Sequence, residues 1–103
     1  MLGASMEVTF KNRSLDRLET DASYSAGFSD VIVKSYRKAM QHIRAASDER
    51  TLYTRRSFRF EKLSGNRKGQ YSMRLNIQWR LIVELHGGGS ETTISVVEIS
   101  DYH

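Results

Sequence analysis

The chain of 103 residues contains no cysteine. This absence excludes a disulfide framework, a thiol nucleophile and a cysteine-ligated metal site, and it suits a protein of the reducing cytoplasm. Long apolar runs are missing as well, since none approaches the roughly 18 residues needed to span a bilayer, so we expect no membrane partner. The segment before Met6 is too short for a secretory signal, and we interpret residues 1–5 as a disordered leader.

Motifs for nucleotide cofactors and metal ions are also missing. The run Gly87-Gly88-Gly89 has neither the spacing nor the lysine of a phosphate loop, and it predicts a flexible hairpin. The three histidines, His42, His86 and His103, are far apart in the sequence, and His42 falls on a helical turn where we expect an exposed polar side chain. We therefore predict that the protein uses no metal and no cofactor.

What the chain does have is a strongly uneven charge. Apolar residues make up 39% of the composition and charged residues 27%, which is typical of one small globular domain spanning residues 1–103. Residues 50–80 carry nine basic side chains against the single acid Glu61, a net charge of +8, whereas the rest of the chain sums to −4. Such a split indicates either a face for a polyanion, most often nucleic acid, or a solvated basic surface.

The first half of the chain has helical periodicity after a short strand. Residues 7–11 predict the strand, and residues 13–20 predict a helix through Leu15 and Leu18. A loop over residues 21–28 follows. Ser29 is then the N-cap of a second helix, whose apolar side chains recur at three- and four-residue steps as far as Ala46.

The second half of the chain alternates instead, which predicts strands over residues 58–61, 71–75, 79–85 and 92–99. The order is β-α-α-β-β-β-β. Short turns favour hairpin pairing, so we predict an α+β fold in which two N-terminal helices pack on one face of a mostly antiparallel sheet of four to five strands. The parity of Trp79 with Leu81 and Val83 favours a core position over a role in base stacking.

The C-terminal tripeptide Asp101-Tyr102-His103 ends the chain with three groups that can move or orient protons. An imidazole can act as acid or base, a carboxylate can fix its tautomer and a phenol can donate a hydrogen bond. Terminal residues are usually frayed and functionless, however, so the chemistry alone leaves both interpretations open.

Two motifs resemble those of a known family. Residues 60–81, FEKLSGNRKGQYSMRLNIQWRL, resemble the signature of HigB-like plasmid-maintenance toxins of the RelE/ParE superfamily, and residues 97–103, VEISDYH, resemble the family's C-terminus. The resemblance implies a RelE-like fold and the toxin of a type II toxin-antitoxin system. It further implies metal-independent, ribosome-dependent cleavage of mRNA by attack of a ribose 2′-hydroxyl, and as partners the ribosome and a helix-turn-helix, HigA-like antitoxin.

The resemblance also assigns residues. Arg80 matches the family's active-site arginine, whose planar guanidinium suits a phosphorane; the alternative is an arginine paired with Glu84 or Asp101. Asp101, Tyr102 and His103 match the functional terminus, with His103 as proton donor or acceptor. The basic residues that would then contact RNA are Arg59, Lys62, Arg67, Lys68 and Arg74.

The chain departs from the family at two positions. Glu61 stands where some members have histidine, and it is either a replacement base or an ion-pair partner of Lys62 or Arg59. Ser64 stands where many members have lysine. The loss of this basic side chain would weaken the contact with phosphate and slow the activity. Two alternatives follow, a gyrase-inhibiting toxin of the ParE branch and a basic RNA-binding relative with weakened catalysis.

Overall fold

Helices precede most of the strands in the computed structural model, which describes residues 6–88 and 91–101. The elements in chain order are β1 (Glu7–Phe10), α1 (Arg13–Thr20), α2 (Asp30–Ala45), α3 (Glu49–Leu52), β2 (Glu61–Lys62), β3 (Gln70–Arg74), β4 (Trp79–His86) and β5 (Thr93–Asp101). Single 3-10 turns cover Arg56–Phe58 and Gly65–Arg67. The predicted leader and the last glycine of the predicted hairpin lie outside the described residues.

The two long helices begin where the sequence places their caps. The side chain of Asn12 accepts a hydrogen bond from the backbone N–H of Leu15 at 3.0 Å, and the Ser29 hydroxyl accepts one from the N–H of Ile32 at 3.4 Å. Each cap satisfies a backbone donor that has no partner within the helix. The predicted boundaries of α1 and the predicted N-cap of α2 are therefore confirmed.

The five strands form one mixed sheet in the order β1-β5-β4-β3-β2. Strands β2 to β5 pair antiparallel with their sequence neighbours, as expected for strands joined by short connections. Strand β1 pairs in parallel with β5, the last strand of the chain. The predicted α+β class and the mostly antiparallel sheet are confirmed.

The core lies between one face of this sheet and the helices. Its strand side includes Met73, Leu81 and Val83, and its helix side includes Leu18 and Tyr36. The Tyr36 hydroxyl is buried and donates to the carbonyl of Leu15 at 2.7 Å, which ties α2 to α1. Burial raises the pKa of Tyr36 because the phenolate would lose its hydration.

The predicted strand over residues 58–61 is wrong for residues 58–60, since β2 begins only at Glu61. Arg56–Phe58 forms a 3-10 turn, and Arg59 follows with a left-handed backbone at a φ of 45°. Phe58 and Phe60 are nevertheless both buried, because the left-handed residue between them reverses the chain and turns both rings toward the core. Two aromatic residues separated by one position therefore imitate strand alternation.

Two further features differ from the sequence-based expectation. The short helix α3 was not predicted; it begins at the Asp48 N-cap, whose side chain accepts from two backbone N–H groups. The expected exposure of His42 is wrong, since its side chain is only 9% exposed and stacks on Phe58 with ring centroids 5.4 Å apart. In the described part of the chain, no helix combines the length and the apolar character that crossing a bilayer requires.

Candidate active site

The sheet face opposite the helices, called here the outer face, carries the polar residues of the signature motif. Cross-strand register partners lie on the same face of a sheet. Ser72 on β3 is paired with Glu61 on β2 and with Ile82 on β4, which is in turn paired with Glu98 on β5. Residues from four strands thus form one row across the outer face.

The next row along the strands places two arginines side by side. Arg74 on β3 is the register partner of Arg80 on β4, and Arg80 is also the partner of Ser100 on β5. Both arginines are half-buried. The Nε of Arg74 donates to the backbone carbonyl of Asn76 at 3.3 Å, which holds its guanidinium beside the β3–β4 turn.

That turn is fixed by Asn76 itself. The Asn76 side-chain oxygen accepts from the backbone N–H groups of Gln78 at 2.8 Å and Trp79 at 2.7 Å. An asparagine that bonds to the backbone two residues ahead stabilises a tight turn. Arg80 is the second residue of β4 after this turn, so the turn sets its position relative to Arg74.

A β-bulge decides which residues of β5 share the outer face with Arg80. The register shifts between Ile82 and Val83, so that Val83 is paired with Val96 while Ile82 is paired with Glu98. The extra residue, Val97, reverses the alternation of everything that follows it. Without the bulge, Glu98 would lie on the core side of the sheet.

The bulge also sets the position of Asp101, the one residue of the predicted C-terminal tripeptide that the structure describes. Asp101 is the register partner of Trp79, so it does not share the row of Arg80, and its carboxylate accepts from the side-chain amide of Gln78 at 3.0 Å. The structure therefore does not bring Asp101 to the face of the arginine pair. The predicted roles of Tyr102 and His103 concern residues outside those that the structure describes.

Glu61 lies on the exposed edge of the same face. It is one strand away from Arg74 and two residues along the register, a diagonal spacing of roughly 7–8 Å that long side chains can bridge. Across residues 6–88 and 91–101 its carboxylate makes no ion pair or hydrogen bond, so neither Lys62 nor Arg59 occupies it. The outer face thus carries an exposed carboxylate one diagonal step from Arg74, whose register partner is Arg80.

A hydrogen-bonded network crosses the outer face on the side of Ile82 that is away from Arg80. Arg67 bonds to Glu98 at 3.3 Å and to Gln70 at 2.9 Å, and Gln70 donates to Glu84 at 3.1 Å. Lys11 on the far side lies 3.5 Å from the same Glu84 carboxylate. The network ties the β2–β3 connection to β5 and β4.

The network also determines the ionisation of its central carboxylate. The Gln70 side chain, followed by the charge and hydrogen bond of Lys11 and the contact with His86, holds the pKa of Glu84 below its usual range. These groups contact the Glu84 carboxylate, and Glu84 lies four residues along β4 from Arg80. No local sequence pattern predicts this network, since its contacts join residues 14 and 31 positions apart.

The predicted RNA-contacting residues fall into two groups. Arg59, Lys62 and Lys68 are exposed, as is Ser64, whereas Arg67 is held in its ion pair.

The predicted core position of Trp79 is confirmed, because its ring packs edge-on against Phe28 with centroids 5.7 Å apart. Ser72 was missed by sequence reasoning. It is buried in the row next to the arginine pair, although strand alternation alone marks it as a surface residue.

Comparison with known proteins assigns this arrangement to a family. The model of the HigB-like toxins, described as RelE-like toxins of the type II toxin-antitoxin system HigB, matches residues 8–103. The chain belongs to the HigB-like toxin family. No curated protein matches this toxin significantly.

Solved structures support the fold of the toxin. A YoeB/ParE toxin from Agrobacterium tumefaciens is 22% identical and superposes with a TM-score of 0.62 over 95% of this chain and 100% of that one. A YoeB-YefM complex from Staphylococcus aureus matches at 22% identity and a TM-score of 0.59, over 97% and 99% of the two chains. A YoeB dimer from the same organism is 20% identical, with a TM-score of 0.56 and the same coverage. The toxin therefore has the RelE/YoeB fold.

Proposed function

We propose that the toxin is a metal-independent endoribonuclease that cuts mRNA within the ribosome. The observation that carries this proposal is the opposition of Arg74 and Arg80 on the outer face, with the Glu61 carboxylate one diagonal step away. Two adjacent guanidinium groups match a phosphate, because each planar fork can donate to two of its oxygens. An acceptor for a proton beside a phosphate site is what attack by a 2′-hydroxyl requires.

The roles follow from the charge changes in that reaction. Glu61 removes the proton of the 2′-hydroxyl as its oxygen attacks the adjacent phosphorus. Arg80 and Arg74 stabilise the extra negative charge of the phosphorane, which a preorganised cation does best where water is partly excluded. The P–O5′ bond then breaks, and the leaving 5′-oxygen needs a proton.

His103 is our candidate for that proton donor. The strand that leads to it runs past the arginine pair, because Ser100 is the register partner of Arg80. We assign Asp101 and Tyr102 to positioning. The Gln78–Asp101 hydrogen bond supports this assignment, since it anchors the end of β5 to the β3–β4 turn.

The exposed cations Arg59, Lys62 and Lys68 would bind RNA phosphates around the site, and Arg67 would shape the loop that presents them. We further propose that a helix-turn-helix antitoxin silences the toxin. A similar structure from Staphylococcus aureus is a YoeB-YefM complex, which supports a cognate antitoxin as partner but does not bear on its fold.

The decisive experiment is single-turnover cleavage of the same mRNA, free and bound to translating ribosomes, by the wild type, Arg80→Ala and a variant lacking His103. We expect rapid cleavage only on the ribosome and a loss in both variants of about a hundredfold or more. Equal cleavage of free and bound mRNA would contradict the ribosome dependence. Trapped gyrase without RNA cleavage would support the gyrase-inhibiting alternative, and ribosome binding without cleavage would support the catalytically weakened one.

A further inference from the structure

A second basic site lies on the helical side of the molecule. A surface cavity of about 330 Å³ is lined by Lys38, Gln41, His42, Ala45 and Arg55. It is formed by the second half of α2 and the segment after α3, so it lies on the layer that covers the core face of the sheet. The candidate active site is on the outer face, and the two sites share no residue.

One ring nitrogen of His42, in the wall of this cavity, has no hydrogen-bond partner among the described residues. Its Nε2 is buried and makes no hydrogen bond with any residue of the described ranges. Almost all buried polar atoms in proteins have a partner, so one that lacks it beside a cavity indicates a group that is supplied from outside. Stacking on Phe58, with an angle of 24° between the rings, fixes the orientation of the imidazole.

The two cations of the cavity are not neutralised by the protein. Within residues 6–88 and 91–101, Lys38 and Arg55 make no ion pair, and no carboxylate is among the cavity-lining residues. The guanidinium of Arg55 is held over the ring of Phe58 at 5.3 Å from its centroid, so Phe58 contacts both Arg55 and His42. A cationic cavity with an unsatisfied imidazole and the side-chain amide of Gln41 is suited to an anion with several acceptor oxygens.

We propose that this cavity binds a backbone phosphate of ribosomal RNA, a second anchoring point apart from the cleavage site. A phosphate fits better than a lone carboxylate because the lining offers four different groups that can donate hydrogen bonds. RNA fits better than an acidic peptide because Arg56 and Arg59, both exposed, continue the cationic surface from Arg55 toward β2. The identity of the RNA rests on the ribosome-dependent function proposed above, whereas the phosphate site itself does not.

The first test is a titration of the full-length toxin with inorganic phosphate, read from the NMR signals of the His42 imidazole, with acetate as the comparison anion. We expect phosphate to shift the His42 signals, and the double variant Lys38→Gln/Arg55→Gln to lose that shift. The matched control, Lys34→Gln/Arg13→Gln, removes the same two types of charge from exposed positions on α2 and α1 and should respond like the wild type. An absent phosphate response, an equal loss in both double variants, or an equal response to acetate would overturn the assignment.

The second test is the salt dependence of ribosome binding for the same two double variants. Losing the one phosphate contact of the cavity should flatten the plot of log affinity against log salt by about 0.7–0.9 in the Lys38/Arg55 variant. The control should keep the slope of the wild type. An unchanged slope in the Lys38/Arg55 variant would overturn the role of this cavity in RNA binding, even if mRNA cleavage is confirmed. If the protein responds to phosphate but does not cleave mRNA, only the proposed activity is contradicted.

Discussion

Arg74 on β3 and Arg80 on β4 are direct register partners, so two cations lie next to each other on one face of the sheet. Like charges at directly opposite positions destabilise a strand pair. The pair therefore concentrates positive charge in one row of the outer face. This relationship is the reason why we propose a phosphate site on the outer face.

Replacing either arginine should separate activity from folding. We expect Arg80→Ala to lower the single-turnover rate of ribosome-bound mRNA cleavage by about a hundredfold to a thousandfold, the usual cost of losing one preorganised donor to a developing charge. Arg80→Lys should recover only part of that rate, because an ammonium group cannot donate as a planar fork. Lys34→Ala, which removes an exposed cation of α2, should cleave normally. A wild-type rate in Arg80→Ala would remove this residue from the mechanism.

Glu61→Gln tests the proposed base. The substitution keeps the shape of an exposed side chain that makes no ion pair in the described part of the chain, so the free energy of unfolding should change by at most about 0.5 kcal/mol. The cleavage rate should fall by about a hundredfold to ten-thousandfold if the carboxylate accepts the proton. Thermal melts and single-turnover kinetics would be compared with those of Glu91→Gln, another exposed glutamate. Unchanged kinetics would direct the search for the base elsewhere.

Glu84 should contribute to the acid sensitivity of the fold. Its folded-state pKa lies below the usual value of 4.5, first because Gln70 donates to the carboxylate and then because Lys11 and His86 contact it. A group with a depressed folded pKa stabilises the protein above its unfolded pKa, and this stability disappears as the pH falls through the folded pKa. Glu84→Gln should thus lower the melting temperature near pH 7, and its difference from the wild type should shrink below pH 4.5. A pH-independent difference would contradict the prediction; Glu7→Gln on β1 is the control.

Gly87, at the end of β4, should not tolerate a side chain. Its φ is +77°, and an added Cβ would lie 2.6 Å from the backbone carbonyl oxygen of Glu91. Gly27 has a similar φ of +83° with open space around it, so Gly27→Ala measures the backbone strain alone, about 1–2 kcal/mol. Gly87→Ala should cost about 1–3 kcal/mol more, because the backbone at Glu91 must shift. If chemical denaturation shows the same loss of unfolding free energy for Gly87→Ala and Gly27→Ala, the backbone of the β4–β5 connection moves at no measurable cost and the prediction is wrong.

The sequence by itself determined the fold class, the long helices and the identity of the basic segment. Helical spacing after Ser29 and Asn12, and strict alternation around Leu81, are local patterns that follow directly from the 3.6- and 2-residue periods. The signature of residues 60–81 also pointed to Arg80 and Glu61 before any geometry was known. Local periodicity gave the wrong prediction at Phe58 and Phe60. The two residues flank Arg59, which has a left-handed backbone, and their spacing matches that of alternate residues in a strand.

Only the tertiary structure decided which of the candidate residues meet. The opposition of Arg74 and Arg80 depends on strand register, and the turn at Asn76 sets that register. The bulge at Val97 places Ser100, and not Asp101, in the row of Arg80. The adjacent residues Val96 and Val97 interrupt the alternation in the sequence, but the sequence does not indicate at which residue the strand register shifts. Register, a bulge and the packing around a buried imidazole arise from contacts between residues far apart in the chain, and no local pattern encodes such contacts.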